Sequence, residues 1–500
     1  MIASILAARM YAGDPLTFAL FSLSYVAMLL ALFPRPRSFV YTFLAVFLFL
    51  GFWVKVTALL VFEVPLLEPT GQFTGSAVQW NSALVACSLG ALGVTSARLV
   101  HIFFLRHHQI SVVDAMRAAP NWYSRHRRLV IVGTCILVIA LHTANLFLSF
   151  YQIGVRPKVT LPLVNVVIAW SLSIGLAMWV AMIASWERFL YPSQGLRAWA
   201  VPFVEALFSS FTLSRAVYPF RIVPYLVAGS EASSRPPSLT RHHKLALGAV
   251  IGLGFAASLV TVSLLRVTVY PPLVLPSPSP AFASPAVVRS PTPRATLAPR
   301  PSSTGGPIVG DSATTVVQSI PFVIREVQSL FIRRWIGIEG TLAVSSYSGL
   351  GTNLLGAAIF EDPRRAQTAL YQSMAASPYP ASPQFNFLTT PGAIAVLAYS
   401  GSPAIVGLGM LLITLLVLNL EFAAARLTGN SLVVSVLGLS LANGIVQMNF
   451  PYLFFVLLIE QAVAIVFFSV LTSGSGLAAL SASVNAFRER GHNKRSEEVA

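Results

Sequence analysis

Two adjacent arginines followed by a tryptophan form the most chemically capable group in the chain. Arg333 and Arg334 provide guanidinium groups that bind phosphate or diphosphate oxygens in a bidentate manner, and Trp335 provides an aromatic plane suited to stacking on a sugar ring. Glu339 follows closely and is a candidate general base. In the competing interpretation the arginines meet lipid headgroups, Trp335 belongs to the interfacial aromatic belt and Glu339 forms a structural ion pair with an arginine.

Three further basic residues lie in short segments between apolar stretches. Arg156 and Lys158 flank Pro157, and Arg215 lies between two short apolar segments. An anionic ligand is one explanation for basic residues in such segments. Ionisable residues also occur inside apolar stretches, where they are costly and often functional. They are Lys55, Arg98, His101, His142, Glu205, Arg221 and Glu460.

The motifs of several common enzyme classes are missing from the sequence. There is no glycine-rich phosphate loop, no His-Glu-x-x-His and no Gly-x-Ser-x-Gly. The two cysteines, Cys87 and Cys135, both lie in apolar stretches, so no thiolate metal cluster is expected. These absences remove the usual support for ATP hydrolysis, metalloproteolysis and serine hydrolysis. A membrane enzyme that handles anions without a cofactor or metal, or a transporter, remains.

The elements that must position these residues are transmembrane helices. Of 500 residues, 55% are hydrophobic and 10% are charged, and the mean hydropathy is +0.74. A bilayer core about 30 Å thick needs roughly 20 apolar residues of helix, because every backbone amide must be bonded internally. The sequence therefore predicts an all-α, polytopic transmembrane bundle with about eleven spans. The predicted spans are 16–33, 40–62, 82–105, 129–150, 163–185, 199–213, 216–228, 245–265, 392–420, 431–447 and 452–471.

The distribution of lysine and arginine predicts the orientation. The formal net charge is +16, and the basic residues are spread between apolar stretches, which indicates basic loops at a membrane surface rather than nucleic-acid binding. One alternating assignment places 17 basic residues in the cytoplasmic segments and at most six in the short outer loops. This assignment puts the N-terminus outside and the C-terminus in the cytoplasm.

The predicted domain organisation has four parts. An N-terminal transmembrane bundle covers 1–266, and a large, partly helical extracytoplasmic loop covers 267–391. Within that loop, residues 271–307 form a Pro/Ser-rich spacer that cannot bury a core, and residues 308–391 are expected to be partly helical and to fold against the bundle. C-terminal transmembrane helices (392–475) and a cytoplasmic tail (476–500) complete the chain.

Several strings of residues together resemble one family. They are Gly51-Phe52-Trp53-Val54-Lys55, Glu68-Pro69-Thr70-Gly71, Gly90-Ala91-Leu92-Gly93, Tyr151-Gln152-Ile153-Gly154 and the run from Arg333 to Gly340, followed by Ala343 to Tyr347. The chain resembles bacterial inner-membrane proteins similar to the oligosaccharide repeat-unit polymerases, the Wzy-like polymerases of O-antigen and exopolysaccharide. The resemblance covers most of the spans and the second half of the large loop, but not the spacer.

The resemblance implies an activity, a substrate and a location. A growing glycan would be transferred from its polyprenyl-diphosphate carrier to a new carrier-linked repeat unit at the periplasmic face of the inner membrane. Arg333, Arg334 and Glu339 would then be catalytic. Arg156, Lys158 and Arg215 would bind the carrier diphosphate, and Trp335 and Tyr347 would stack on sugar rings. Membrane lipids and polysaccharide export or chain-length proteins are the expected partners. A lipid-linked-sugar flippase, a glycan ligase and a non-catalytic scaffold of an export complex are the alternatives.

Overall fold

The computed structural model describes residues 2–62, 66, 68–107, 119–158, 162–191, 197–231, 241–269, 335–362, 369–377 and 389–472. The chain divides into two units, one of residues 1–271 and 336–500 and the other of residues 272–335. Of the second unit, only Trp335 is described, and it is half-buried. The spacer 271–307, Arg333, Arg334 and the tail 476–500 lie outside the described residues.

The described part of the first unit is all helical and contains no β-strand. Its N-terminal helices are α1 (Ile2–Met10), α2 (Pro15–Leu30), α3 (Phe39–Phe62), α4 (Ala77–His107), α5 (Asn121–Leu148), α6 (162–190), α7 (Ala200–Phe208), α8 (Val217–Glu231) and α9 (Arg241–Val269). Its C-terminal helices are α10 (Ile338–Ser345), α11 (Thr352–Ile359), α12 (Leu370–Met374), α13 (Ala393–Ala398), α14 (Pro403–Thr428), α15 (Ser431–Val446) and α16 (Pro451–Thr472).

Seven of these helices are long and apolar enough to cross a membrane, namely α3, α4, α5, α6, α9, α14 and α16. Three predicted spans correspond instead to shorter apolar helices: α2, α15, and α7 with the 3₁₀ turn that follows it. The predicted span 216–228 corresponds to α8, which contains Pro224. The prediction of one span over 392–420 differs from the structure, because α13 and α14 are separated at Gly401, whose φ of +69° a helix cannot hold.

Short sequence signals set several helix ends. The Asp14 side chain accepts a hydrogen bond from the Leu16 N–H at 3.1 Å and is followed by Pro15, a residue that favours the first helical position. Asn430 caps α15 in the same way, and Gly429 ends α14 with a φ of +57°. These caps explain why α14 and α15 are joined by so short a turn.

The bundle is built around α4, which packs against α2, α10 and α14, while α15 packs against α3, α6 and α8. Small residues allow the closest of these contacts: a Cβ on Gly93 of α4 would lie 2.2 Å from the Gly407 carbonyl oxygen of α14. In a bilayer such close backbone approach replaces the hydrophobic driving force that water gives to soluble bundles.

Two of the long helices contain a π-helical turn. In α3 this turn covers Phe49–Val54, immediately before Lys55, and in α6 it covers Ser171–Gly175. A π-helical turn shifts the hydrogen-bonding register, so that nearby carbonyl oxygens become available to other donors. Both turns adjoin a buried ion pair.

Candidate functional site

Two of the predicted outer loops meet at one end of the bundle. The Ile153 N–H donates to the Thr212 carbonyl oxygen at 2.9 Å. The Asn145 amide, near the end of α5, donates to the carbonyl oxygens of Tyr151 at 3.0 Å and Phe211 at 3.3 Å. The segment that carries Arg156 and Lys158 therefore lies beside the turn that carries Arg215.

The three predicted cations lie at the rim of this end. Arg156 and Lys158 are exposed, and Arg215 is half-buried. The Lys158 ammonium donates to the Phe147 carbonyl oxygen at 3.3 Å. The sequence prediction missed a fourth basic residue here: Arg266 of α9 donates through Nε to the Leu213 carbonyl oxygen at 2.9 Å. The rim thus concentrates positive charge from three separate segments.

Beside these loops lies a cavity of about 360 Å³ between the π-helical turn of α6 and helices α8, α15 and α16. This volume is within the range of small-molecule sites. Arg156, Lys158 and Arg215 are not among its lining residues. Its polar lining consists of Tyr151, Ser173, Thr212, Ser214, Arg221, Ser440, Asn443, Gln447, Asn449 and Gln461.

Arg221 of α8 is held in place on two sides. Its Nε lies 3.0 Å from the Glu205 carboxylate of α7. Its Nη2 donates to the carbonyl oxygens of Leu172 at 2.6 Å and Ser173 at 2.9 Å, both in the π-helical turn of α6. Glu205 is 1% exposed, so its charge needs this partner. The pair and the π-helical turn together fix the guanidinium against the cavity.

The amides in the cavity wall are incompletely bonded. Gln461 is fully buried; its Nε2 donates to the Ser440 hydroxyl at 3.2 Å, but its Oε1 has no hydrogen-bond partner among the described residues. Both polar side-chain atoms of Asn449 are also buried and have no partner within that part of the chain. The Gln447 amide donates to Asn443 Oδ1 at 2.9 Å. Two buried amides therefore retain hydrogen-bonding capacity.

Tyr151 is the first residue of the predicted outer loop 151–158, and it lines the cavity. Burial raises the pKa of the Tyr151 hydroxyl; Arg221 opposes this rise in pKa, and Glu460 of α16 adds to it. The Tyr151 hydroxyl therefore interacts electrostatically with both Arg221 and Glu460. Glu460, noted in the sequence only as an ionisable residue in a span, is half-buried near the cavity.

Glu339 lies in a different part of the bundle. It is in the first turn of α10, and its carboxylate is 2.5 Å from the Lys55 ammonium of α3, with side chains 3% and 5% exposed. Burial raises the pKa of the Glu339 carboxyl, and Lys55 opposes that rise in pKa. Glu339 does not line the cavity. The ion pair weighed as the alternative to catalysis is thus present, with a lysine rather than an arginine.

Backbone contacts place α10 against α3. A Cβ on Gly51 would lie 2.2 Å from the Ile336 carbonyl oxygen, and one on Gly337 would lie 2.0 Å from the Gly51 carbonyl oxygen. Lys55 lies seven residues before the end of α3, or about 10 Å along the helix axis. The segment that starts at Ile336 is therefore inserted among the helices. Tyr347, the predicted sugar-stacking residue after α10, is half-buried.

At the opposite end of α3, the buried charged residues have structural partners. Glu421 of α14 accepts from the Ser38 hydroxyl and from the N–H groups of Phe39 at 2.6 Å and Val40 at 3.2 Å, which caps α3. Arg98 donates to the carbonyl oxygens of Pro34 and Pro36. These contacts give both charged groups partners within the bundle.

Only part of this site could be predicted from the sequence. Arg221 and Glu205 stand out as ionisable residues in short apolar segments, but their pairing depends on the packing of α7 against α8. No sequence pattern indicated the π-helical turn that supplies the Leu172 and Ser173 carbonyl oxygens. Within the described residues, no group of three or more His, Cys, Asp or Glu side chains is arranged to hold a metal ion.

Comparison of the chain with protein-family models, with curated protein sequences and with solved structures finds no match. The resemblance to repeat-unit polymerases stays a prediction.

Proposed function

We propose that the protein is a membrane glycosyltransferase that joins polyprenyl-diphosphate-linked oligosaccharide units into a surface polysaccharide. The observation that carries this proposal is the polar cavity beside a cationic rim at one end of an apolar bundle. A membrane-anchored substrate with a charged diphosphate and hydroxyl-rich sugars requires this combination. The proposed location is the bacterial inner membrane, with the cavity at the periplasmic end, the N-terminus outside and the C-terminus in the cytoplasm.

The proposed reaction is displacement at a sugar carbon. The acceptor hydroxyl oxygen forms a bond to the anomeric carbon of the growing chain, and the bond from that carbon to the carrier diphosphate breaks. The diphosphate leaves with the bonding electrons, while the hydroxyl proton passes to a base. Cations stabilise the charge that develops on the leaving group. Arg156, Lys158 and Arg215 are proposed for that role, together with Arg333 and Arg334.

The base proposed from the sequence is Glu339. Its pairing with Lys55 gives it a structural role as well, and the two roles require different experiments. A carboxylate that accepts a proton during the reaction must reach the acceptor hydroxyl. Trp335 and Tyr347 keep their proposed role of stacking on sugar rings. Proteins of polysaccharide export or chain-length control are the proposed protein partners.

The test is the size profile of surface polysaccharide in cells that lack the protein, with lipid-linked intermediates extracted in parallel. We expect loss of polymer while single repeat units still reach the outer face. Re-expression of the wild-type protein should restore the polymer, and Arg215→Gln should not. Arg128→Gln removes an exposed arginine near the start of α5, at the other end of that helix from the cavity, and is the matched control.

The other outcomes are distinguishable. Repeat units trapped on the cytoplasmic face would indicate a flippase. Complete polymer that remains on its carrier would indicate a ligase. An unchanged polysaccharide profile would remove the proposal altogether.

A further inference from the structure

We infer that the cavity binds a neutral sugar ring of the substrate through the buried amides of Asn449 and Gln461, whereas the charged diphosphate stays outside it at the cationic rim. This inference rests on the proposed function for the identity of the rim ligand. It deepens that function by dividing the substrate between two places that differ in charge.

The first argument is the charge of the cavity. Arg221 is the one charged side chain among its described lining residues. That charge is balanced by Glu205 at 3.0 Å, and Nη2 is occupied by two backbone carbonyl oxygens. A diphosphate would have to give up its hydration for a site with no net positive charge. The cavity is therefore unfavourable for the diphosphate and suitable for a neutral ligand.

The second argument is the unused hydrogen-bonding capacity of the wall. A buried polar atom without a partner costs about 1–3 kcal/mol. Within the part of the chain that the structure describes, the cavity wall has three such atoms, Gln461 Oε1 and both polar side-chain atoms of Asn449. These atoms include acceptors and a donor. A sugar hydroxyl both donates and accepts, so one ring with several hydroxyls satisfies all three atoms.

The third argument is the apolar part of the same wall. Phe220, Phe450 and Phe454 line the cavity together with leucine side chains. Small-molecule sites typically combine such apolar surface with a few well-placed polar groups. The C–H face of a sugar ring packs on aromatic and aliphatic side chains, while its hydroxyls reach the amides. Water would satisfy the amides but would gain nothing from the phenylalanines.

The rim has the opposite character. Arg156, Lys158, Arg215 and Arg266 come from three segments at this end, and the rim segments are joined by the bond from Ile153 to Thr212. Guanidinium and ammonium groups near a membrane surface attract anionic oxygens. A substrate with its sugar in the cavity and its diphosphate at the rim meets a matching environment at both ends.

The test measures binding to the purified full-length protein rather than polymer formation. Neutral disaccharides of glucose, galactose, mannose and N-acetylglucosamine serve as probes in saturation-transfer NMR, and inorganic diphosphate serves as the charged probe. We expect saturation transfer to at least one disaccharide. Gln461→Leu should weaken its binding by up to about tenfold, for one lost hydrogen bond, and Asn449→Leu by up to about a hundredfold, because both of its polar atoms are lost.

Asn165→Leu is the matched control, because Asn165 Oδ1 is also buried without a partner among the described residues but does not line the cavity. This variant should bind the disaccharide as the wild-type protein does. Arg215→Gln should weaken binding of diphosphate and leave sugar binding unchanged.

Two results would overturn the inference. One is the absence of saturation transfer to every disaccharide, which would leave water as the ligand of the amides. The other is displacement of the bound sugar by inorganic diphosphate with loss of diphosphate binding in Arg221→Gln, which would make the cavity the anion site. Sugar binding together with an unchanged polysaccharide profile would remove the proposed function and retain the sugar site.

Discussion

The buried pair of Lys55 and Glu339 gives the sharpest prediction, because the same carboxylate has a structural role and a proposed catalytic one. Lys55→Met leaves a carboxyl group in the bundle without its cation, and Glu339→Leu leaves an ammonium group without its anion. Each single change should destabilise the protein strongly. The double change Lys55→Met with Glu339→Leu removes both charges and should restore most of the lost stability.

The magnitude follows from the geometry. Two unit charges 2.5 Å apart attract each other by about 7 kcal/mol at an effective dielectric constant of about 20. Desolvation of both groups offsets much of this attraction, so the measurable cost of removing one partner of a buried pair is about 3–5 kcal/mol. Replacement of both partners by apolar residues of similar volume is close to neutral. A loss of that size is a large fraction of the total stability of a typical protein.

The assay is unfolding of the purified protein in mixed micelles with increasing sodium dodecyl sulfate, followed by tryptophan fluorescence. The reasoning would be refuted if either single variant lost less than about 1 kcal/mol of unfolding free energy. It would also be refuted if the loss in the double variant equalled the sum of the losses in the two single variants. The polysaccharide profile of the double variant then separates the two roles of Glu339. A stable double variant that makes no polymer supports the base, and one that makes normal polymer leaves Glu339 with its structural role alone.

Three further predictions use the same titration. Burial raises the pKa of the Glu339 carboxyl and Lys55 opposes that rise, so in Lys55→Met the pKa should rise further. The folded state then favours the neutral carboxyl, and the unfolding free energy should fall as pH rises above about 5, by at most about 1.4 kcal/mol per pH unit. An unfolding free energy that does not depend on pH would contradict this prediction. Gly51→Ala should lower the unfolding free energy by about 1–3 kcal/mol or more, because the new Cβ would lie 2.2 Å from the Ile336 carbonyl oxygen. A Cβ on Gly356 would have no neighbouring atom within 4 Å, so Gly356→Ala should instead raise the unfolding free energy by about 0.5–1 kcal/mol. Equal changes in stability for Gly51→Ala and Gly356→Ala would refute the packing argument. Glu421→Ala should cost about 1–3 kcal/mol, because the first N–H groups of α3 lose their acceptor; an unchanged midpoint would show that water replaces it.

Much of the fold could be predicted from the sequence because helices in a bilayer must be apolar over a defined length. That rule identified the apolar segments, including α3, α5 and α16, and the caps at Asp14 and Asn430 follow from residue types alone. The break between α13 and α14 was missed. An apolar stretch of that length matches a single span, and Gly401 with Pro403 is a weak signal beside it.

The site was less predictable because its key contacts are long-range. Arg156, Lys158 and Arg215 were identified because they are basic residues in the predicted outer loops, and the structure brings their segments together. The partners of Glu339 and Arg221 depend on which helices are neighbours, which a single sequence does not specify. Hydropathy identifies α15 and α16 as apolar helices but does not indicate that Asn449, in the turn between them, and Gln461 of α16 line one cavity.

The irregular backbone of the bundle argues that the cavity is a built feature and not a packing defect. Backbone that departs from the α-helix at membrane depth is tolerated where it is buried in protein or lines a cavity. Here the π-helical turn at Ser171–Gly175 supplies acceptors to Arg221. Leu213 adopts a φ of +61° at the end of the 3₁₀ turn that follows α7, next to the cavity residue Thr212, and its carbonyl oxygen accepts from Arg266. Each departure costs conformational energy, and each supplies acceptors to a guanidinium, that of Arg221 in the first case and that of Arg266 in the second. A defect would require neither, whereas a site that must hold its donors in fixed positions beside a ligand requires both.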